Sequence, residues 1–356
     1  ALEKALREAL SEIANKGIPQ KFASRGIYII PYDMLDYRFE EIDDAMYWEG
    51  GKKILKSAKI VKANPHLFAT YISNFSCGPD SLIITTFREI MGTKPNLTLE
   101  LDSHSADAGI NTRIDAFLDI VQNYIAIKGN VNEDSKQNKI AKLISIDGCG
   151  YFLTPDGQKI PLTSPKVKIL IPSMGDIAAN LFASALRSIG FDAEALPEAD
   201  VETLKYGRSI ATGKECLPLL ILAGSLIKWV ENNWDGKQYV AFFNVQGAGN
   251  CRLGQYPVFL RYLIRKKGWT KVAQMTLMNE DGFAGFGEEF AVRGIQAILA
   301  SDILDDVRNG ILANAKKPEQ GLEIFNKQLD ELNQVMETNP KRFLEALKIV
   351  ANYINE

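Results

Sequence analysis

Ala69-Thr-Tyr-Ile-Ser-Asn74, continuing through Phe75-Ser-Cys77-Gly-Pro-Asp-Ser81, reads as a strand that ends in a sharp turn and enters a helix. Gly78 and Pro79 suit the turn, and the helix runs on to about Met91. Downstream the rhythm repeats, with a strand at Leu97-Thr-Leu-Glu-Leu101 and a helix from about Ala108 to Val121. Upstream stand a helix over about residues 1–16, a strand at Gly26-Ile-Tyr-Ile-Ile-Pro31 and a helical stretch around Ala45 to Lys62. Strands alternating with helices predict a parallel sheet with covering helices.

Residues 128–165 break this rhythm. A polar stretch occupies Asn130 to Asn138, and Asp156-Gly157 turns a hairpin around Tyr151 to Leu162. A second series follows: strand Val167 to Pro172, helix Ile177 to Ile189, strand Ala193 to Leu196 and a short helix near Val201 to Tyr206. After a turn at Cys216 come a helix to about Asn232, strand Tyr239 to Phe243, a turn at Cys251, a helix to Lys267 and strand Val272 to Leu277. Helices near Glu288 to Val307, Pro318 to Thr338 and Pro340 to Ile354 close the chain.

At 356 residues the chain exceeds one typical hydrophobic core. The expected fold class is α/β, with parallel sheets covered by helices and additional C-terminal helices. The expected divisions are a first α/β domain over 1–128, a connection with a hairpin over 129–165, a second α/β domain over 166–310, and C-terminal helices over 311–356. The first domain begins where a preceding strand of its sheet is expected, as in a portion shortened from a longer polypeptide. Open doubly wound sheets place ligands at the carboxyl ends of their strands. Cys77 and Cys251 fall at such ends.

The formal net charge of -3 arises from 41 basic and 44 acidic residues that are interspersed rather than blocked, which argues against nucleic acid as a partner. The longest apolar runs, such as Leu217 to Ile227, fall short of a membrane span. The first ten residues alternate charges and lack the apolar core of a signal peptide, so the expected location is cytoplasmic. There four cysteines are buried packing residues, catalytic thiols or metal ligands rather than disulfides.

Three of them share a setting. Cys77 precedes Gly78-Pro79; Cys216 lies in Thr212-Gly-Lys-Glu-Cys-Leu-Pro218 at a helix start; Cys251 lies in Gln246-Gly-Ala-Gly-Asn-Cys-Arg-Leu-Gly-Gln-Tyr256 directly after a strand. Turns at strand ends expose a thiol, helix starts favour negative charge, and Lys214 and Arg252 add cations beside two of the sulfurs. Cys149, in Asp147-Gly-Cys-Gly-Tyr151, belongs to the irregular connection and either reaches a site or packs. Four thiolates also suit structural zinc, although such sites usually come as close pairs, which this chain lacks.

At these turns the sequence resembles the 2-hydroxyacyl-CoA dehydratase and benzoyl-CoA reductase superfamily, specifically the dehydratase-like portion of large acyl-CoA dehydratase activase-related proteins. The motifs are Tyr71-Ile-Ser-Asn-Phe-Ser-Cys-Gly-Pro-Asp-Ser81, Leu99-Glu-Leu-Asp-Ser-His-Ser-Ala-Asp-Ala-Gly109, Gly213-Lys-Glu-Cys-Leu-Pro218 and Gly249-Asn-Cys-Arg-Leu-Gly-Gln-Tyr256, within roughly residues 25–310. The resemblance implies two flavodoxin-like domains and an iron-sulfur cluster, 4Fe-4S or a double-cubane variant. It implies Cys77, Cys216 and Cys251 as ligands, with Cys149 outside the matching motifs as the candidate fourth. It further implies low-potential electrons from an ATP-hydrolysing activator and an acyl-CoA-like or other small substrate, hence a lyase (dehydratase) or oxidoreductase. No Gly-x-x-x-x-Gly-Lys-Ser/Thr loop occurs, so the ATP-driven step is expected on another chain or domain, with this chain an oligomer or part of a longer polypeptide. Two other readings stand beside this one: a non-catalytic electron relay or scaffold, and a metal-free flavodoxin-like binding module.

His104 and His66 are the only histidines. His104, between Asp102 and Asp107, is either a proton shuttle of catalytic importance or part of an Asp-Ser-His-Ser helix cap. Arg113 is expected to pair with Asp107 or Asp115. Gly247-Ala-Gly249 is a poor match to a dinucleotide fingerprint, and Gly282-Phe-Ala-Gly-Phe-Gly287 either lines a substrate side or covers a sheet edge.

Overall fold

The computed structural model describes residues 17–74, 78–102, 105–127, 140–247, 249, 251–276 and 287–355. The expected helix over 1–16, the Gly282 to Phe286 loop, Cys77 and His104 lie outside them. The chain divides into two units, the first of residues 1–136 with 250–259 and the second of 137–249 with 260–356. Residues 250–259, which carry Cys251, therefore group with the first unit rather than with the second α/β domain.

In the first unit a βαβ step sets the frame. Strand β1 (Ala69–Asn74) leads into a helix over Asp80–Met91, and strand β2 (Asn96–Leu101) returns parallel to β1 with Tyr71 beside Thr98. Numbered along the chain, the helices here are α1 (Ile18–Ala23), α2 (Glu49–Ala63), α3 (Asp80–Met91) and α4 (Asp107–Ile127). Side chains alternate across a strand, so this small sheet is apolar on both faces. Tyr71 packs with Leu55, Ala58, Ile83, Ile84 and Phe87 on the side of α2 and α3. Ile72, Leu99 and Leu101 pack with Ile18, Phe22, Ile114 and Phe117 on the side of α1 and α4. Lys94, 1% exposed, is among the largest fully buried side chains of the described residues. Its ammonium donates to the carbonyls of Val61 (2.5 Å) and Asn64 at the C-terminus of α2, where the helix leaves acceptors unmet.

The strand expected at 26–31 does not form. Gly26 and Ile27 donate their amides back to Ala23 and Phe22 at the end of α1, and the chain then enters a 3₁₀ turn at Tyr32–Met34. The run Ile27-Tyr-Ile-Ile30 is continuous rather than alternating, so it presents no single face for burial, and all four residues are exposed.

The second unit opens on an antiparallel sheet, β3 (Lys142–Ile146), β4 (Cys149–Leu153) and β5 (Lys159–Pro161). Asp147 and Gly148, both at positive φ (50° and 76°), make the tight first hairpin. The second hairpin turns at Asp156-Gly157, as its sequence predicts. The remaining elements are β6 (Val167–Ile171), α5 (Asp176–Arg187), β7 (Asp192–Ala195), α6 (Val201–Arg208), α7 (Leu217–Asn233), β8 (Tyr239–Asn244), α8 (Tyr256–Lys267) and β9 (Val272–Thr276). Helices α9 (Gly287–Asn314), α10 (Pro318–Thr338) and α11 (Phe343–Asn355) complete it.

Strands β7-β6-β8-β9 form a wholly parallel sheet. Reversal of direction about its first strand is the order of doubly wound, flavodoxin-like sheets. Ala193, Ile169, Ala241 and Ala273 stand in register across one face. Over them pack Phe182, Ala183 and Leu186 of α5, Phe290 of α9, and Phe152, Ile160 and Leu162 around the antiparallel sheet. The hairpin thus belongs to this core. On its other side α5 presents Ile177, Leu181 and Ala185 to Ala297, Ala300, Leu304, Phe325, Met336 and Phe343 of the C-terminal helices, which add a further layer.

Helices α6 and α7 cross at backbone contact. A Cβ on Gly207 would stand 1.9 Å from the Leu220 carbonyl oxygen, and one on Gly224 would stand 2.0 Å from that of Thr203. Only glycine fits at either position. The crossing fixes the start of α7, where Cys216 lies.

Candidate functional site

Asp80, the first residue of α3, ties the strand that precedes Cys77 to the helix that follows it. Its carboxylate accepts from the Tyr71 hydroxyl at 2.8 Å and from the Ser73 hydroxyl at 2.5 Å, both buried on β1. Burial, with the Asp80 charge and hydrogen bond adding to it, pushes the Tyr71 phenol well above the usual tyrosine range. At the turn itself Gly78 takes φ 60°, and the Ser81 hydroxyl donates to the Gly78 carbonyl at 2.8 Å.

Onto this turn comes the Cys251 segment. Cys251 is exposed and stands at the N-cap of a 3₁₀ turn, Arg252–Gln255. Arg252 donates from Nη1 to the Ser81 hydroxyl at 3.1 Å, across 171 residues of sequence. Gln255, 0% exposed, donates to the Ala45 carbonyl at 3.2 Å, and Val258 enters the core beside Ala45, Met46 and Ile83. The first unit therefore brings the turn that opens with Cys251 against the turn residues that follow Cys77.

Cys216, half-buried, is the N-cap of α7, with Pro218 in the first turn. The preceding Glu215 is 9% exposed. Its carboxylate accepts from the amides of Thr212, Gly213 and Lys214 at 3.0 to 3.1 Å and from the Thr212 hydroxyl at 3.0 Å. The loop before the thiol is thus wrapped around one carboxylate. Thr212-Gly-Lys-Glu215 before an apolar run has the Ser/Thr-x-x-Glu pattern of a capping box, a signal by which Glu215 can be found in the sequence. For Asp80 the corresponding signal is an acid in the first turn after Gly-Pro.

Cys149 opens β4 opposite Ile146 and is exposed at the hairpin end. Cys149, Cys216 and Cys251 all carry thiols, not disulfides. His66 is exposed, its amide bonded to the Asn64 side chain. Next to His104, the Ser105 hydroxyl donates to Asp102 at 2.6 Å. The expected pairing of Arg113 is not: Asp107 pairs with Lys21 at 3.1 Å and Asp115 with Arg25 at 2.5 Å, because α1 lies along that face of α4. The Arg25 guanidinium holds the Asp115 carboxyl below the usual carboxylate range.

Cysteine sulfur is a soft donor, suited to iron-sulfur or zinc rather than to hard cations; Cys251 belongs to the first unit and Cys216 to the second. Among the described residues, which exclude Cys77, no three His, Cys, Asp or Glu side chains converge as a metal site. Among the same residues, no helix is long and apolar enough to cross a membrane. Comparison with family models, curated proteins and solved structures finds no match to this chain.

Proposed function

We propose that the chain is an iron-sulfur protein of the 2-hydroxyacyl-CoA dehydratase and reductase type, acting in the cytoplasm. Cys77, Cys216 and Cys251 would hold the cluster, of 4Fe-4S or double-cubane kind. The observation that carries this reading is the Arg252 to Ser81 hydrogen bond, which joins the turn of Cys251 to that following Cys77. A bound cluster supplies one-electron chemistry to an acyl-CoA-like or small substrate, at a potential provided by a separate ATP-hydrolysing activator.

The residues of this chain have distinct parts in that scheme. Asp80, Tyr71 and Ser73 fix the arms of the Cys77 turn, and Glu215 fixes the loop before Cys216. Arg252 and Lys214 place positive charge beside two thiols, which favours anionic ligands there. His104 is the candidate for moving a proton. Cys149, exposed at its hairpin end, is the candidate fourth ligand, and its substitution distinguishes three protein ligands from four.

The test is anaerobic. Protein purified without oxygen should be brown and contain iron and acid-labile sulfide. Cys77→Ser, Cys216→Ser and Cys251→Ser should each lower the iron content sharply, whereas Cys149→Ser should retain it. Colourless, iron-free protein after anaerobic reconstitution identifies a metal-free binding module instead.

A further inference from the structure

Helix α9 is apolar on two faces. One, with Phe290, Ala297, Ala300 and Leu304, is buried in the second unit. The other carries Val292, Ile295, Leu299 and Ile303, spaced by three, four and four residues and so aligned along one side of the helix. Ile298 flanks this stripe, and Leu344 of α11 stands beside its N-terminal end. These six side chains are 47% to 59% exposed. A groove of about 420 Å³ lies at the N-terminal end of the stripe, lined by Val292, Arg293, Gln296, Pro340, Lys341 and Leu344 among others.

We infer that this face binds a second copy of the same chain, with two α9 helices packed antiparallel across a two-fold axis near Leu299. Two features select that occupant. The first is area. The six side chains expose roughly 600 Å² per copy, so a two-fold pairing buries roughly 1,200 Å² from apolar residues alone, where stable interfaces begin. The second is charge. Lys341, at the groove end, and Asp302 and Asp306, at the far end of the stripe, form no ion pair among the described residues. A two-fold axis between them brings the acidic end of one copy to the basic end of the other, and the face is self-complementary. The groove then receives an aliphatic side chain from the opposite α9.

Sedimentation equilibrium of the whole chain should give twice the monomer mass at micromolar concentration. Leu299→Glu and Ile295→Glu should give monomers whose circular dichroism matches the parent, since both side chains are exposed, and whose thermal midpoint does not rise with protein concentration as the parent's does. Asp306→Lys and Lys341→Asp should each weaken the dimer about 10-fold, and the double reversal should recover most of that loss, as expected for opposed charges. A monomer up to about 100 μM, well above the dissociation constants of specific dimers, overturns the inference. So does a dimer indifferent to Leu299→Glu, or charge reversals that show no recovery when combined.

Discussion

Arg252 and Ser81 stand 3.1 Å apart, and their hydrogen bond fastens a 3₁₀ turn late in the sequence to a helix start early in it. Ser81 is 2% exposed and already donates to Gly78, so the guanidinium reaches an oxygen with a lone pair to spare. A double-mutant cycle with Arg252→Ala and Ser81→Ala should give a coupling of about 1 kcal/mol by urea denaturation. Amide hydrogen exchange at 78–82 should accelerate in Arg252→Ala.

Glu215→Ala should be worse than an ordinary surface substitution. It removes a buried carboxylate that is the common acceptor of three backbone amides and a hydroxyl. A loss of about 2–3 kcal/mol is expected from denaturation. Glu215→Gln should recover part of it, since one carbonyl oxygen replaces two carboxylate oxygens. Alkylation of Cys216 should be faster in the alanine variant.

Tyr71 makes stability sensitive to alkali. Its folded-state pKa is raised above that of the unfolded chain, so above pH ~10 the unfolded state releases a proton that the native state keeps. Stability is therefore intact below pH ~10 and falls above it, by up to about 1.4 kcal/mol per pH unit. Comparing denaturation midpoints of the parent and Tyr71→Phe at pH 8 and pH 11 isolates this contribution, which the variant should lack. At pH 8 the variant should be less stable by about 1 kcal/mol, because Asp80 loses a donor.

Gly207→Ala and Gly224→Ala should each be severely destabilising. A Cβ would overlap a carbonyl oxygen at 1.9 or 2.0 Å, and backbone cannot rotate away as a side chain can. The helices must separate, at a loss of about 3 kcal/mol or more. Gly236→Ala is the control: a Cβ there meets nothing within 4 Å, although φ 76° imposes backbone strain.

The elements at the cysteine turns were legible because their chemistry is local. Gly78-Pro79 and Pro218 announce helix starts, and Ala69 to Asn74 is the strand its pattern predicts. Strand β3 was missed although Asp147-Gly148 carries the same dipeptide signal as Asp156-Gly157; the neighbouring polar stretch obscured its flank. The run Ile27 to Ile30 misled for a different reason: apolar composition without a partner strand makes no ladder. Arg113 misled because proximity in sequence proposed Asp107 and Asp115 while α1 and the turn after it supplied Lys21 and Arg25. Nothing local reports that Arg252 meets Ser81 or that Val258 completes a core of residues 45–91.

That last core has a consequence for synthesis. Its frame is translated early, yet Gln255 and Val258 leave the ribosome more than 160 residues after Met91. At about 5–20 residues per second the delay is roughly ten to thirty seconds, and closing so long a loop carries an entropy penalty. Strands β3 to β8 emerge within that interval. The frame made first therefore waits for a segment made much later, and a nascent chain stalled before residue 255 would carry an open seam beside Ala45 and Met46.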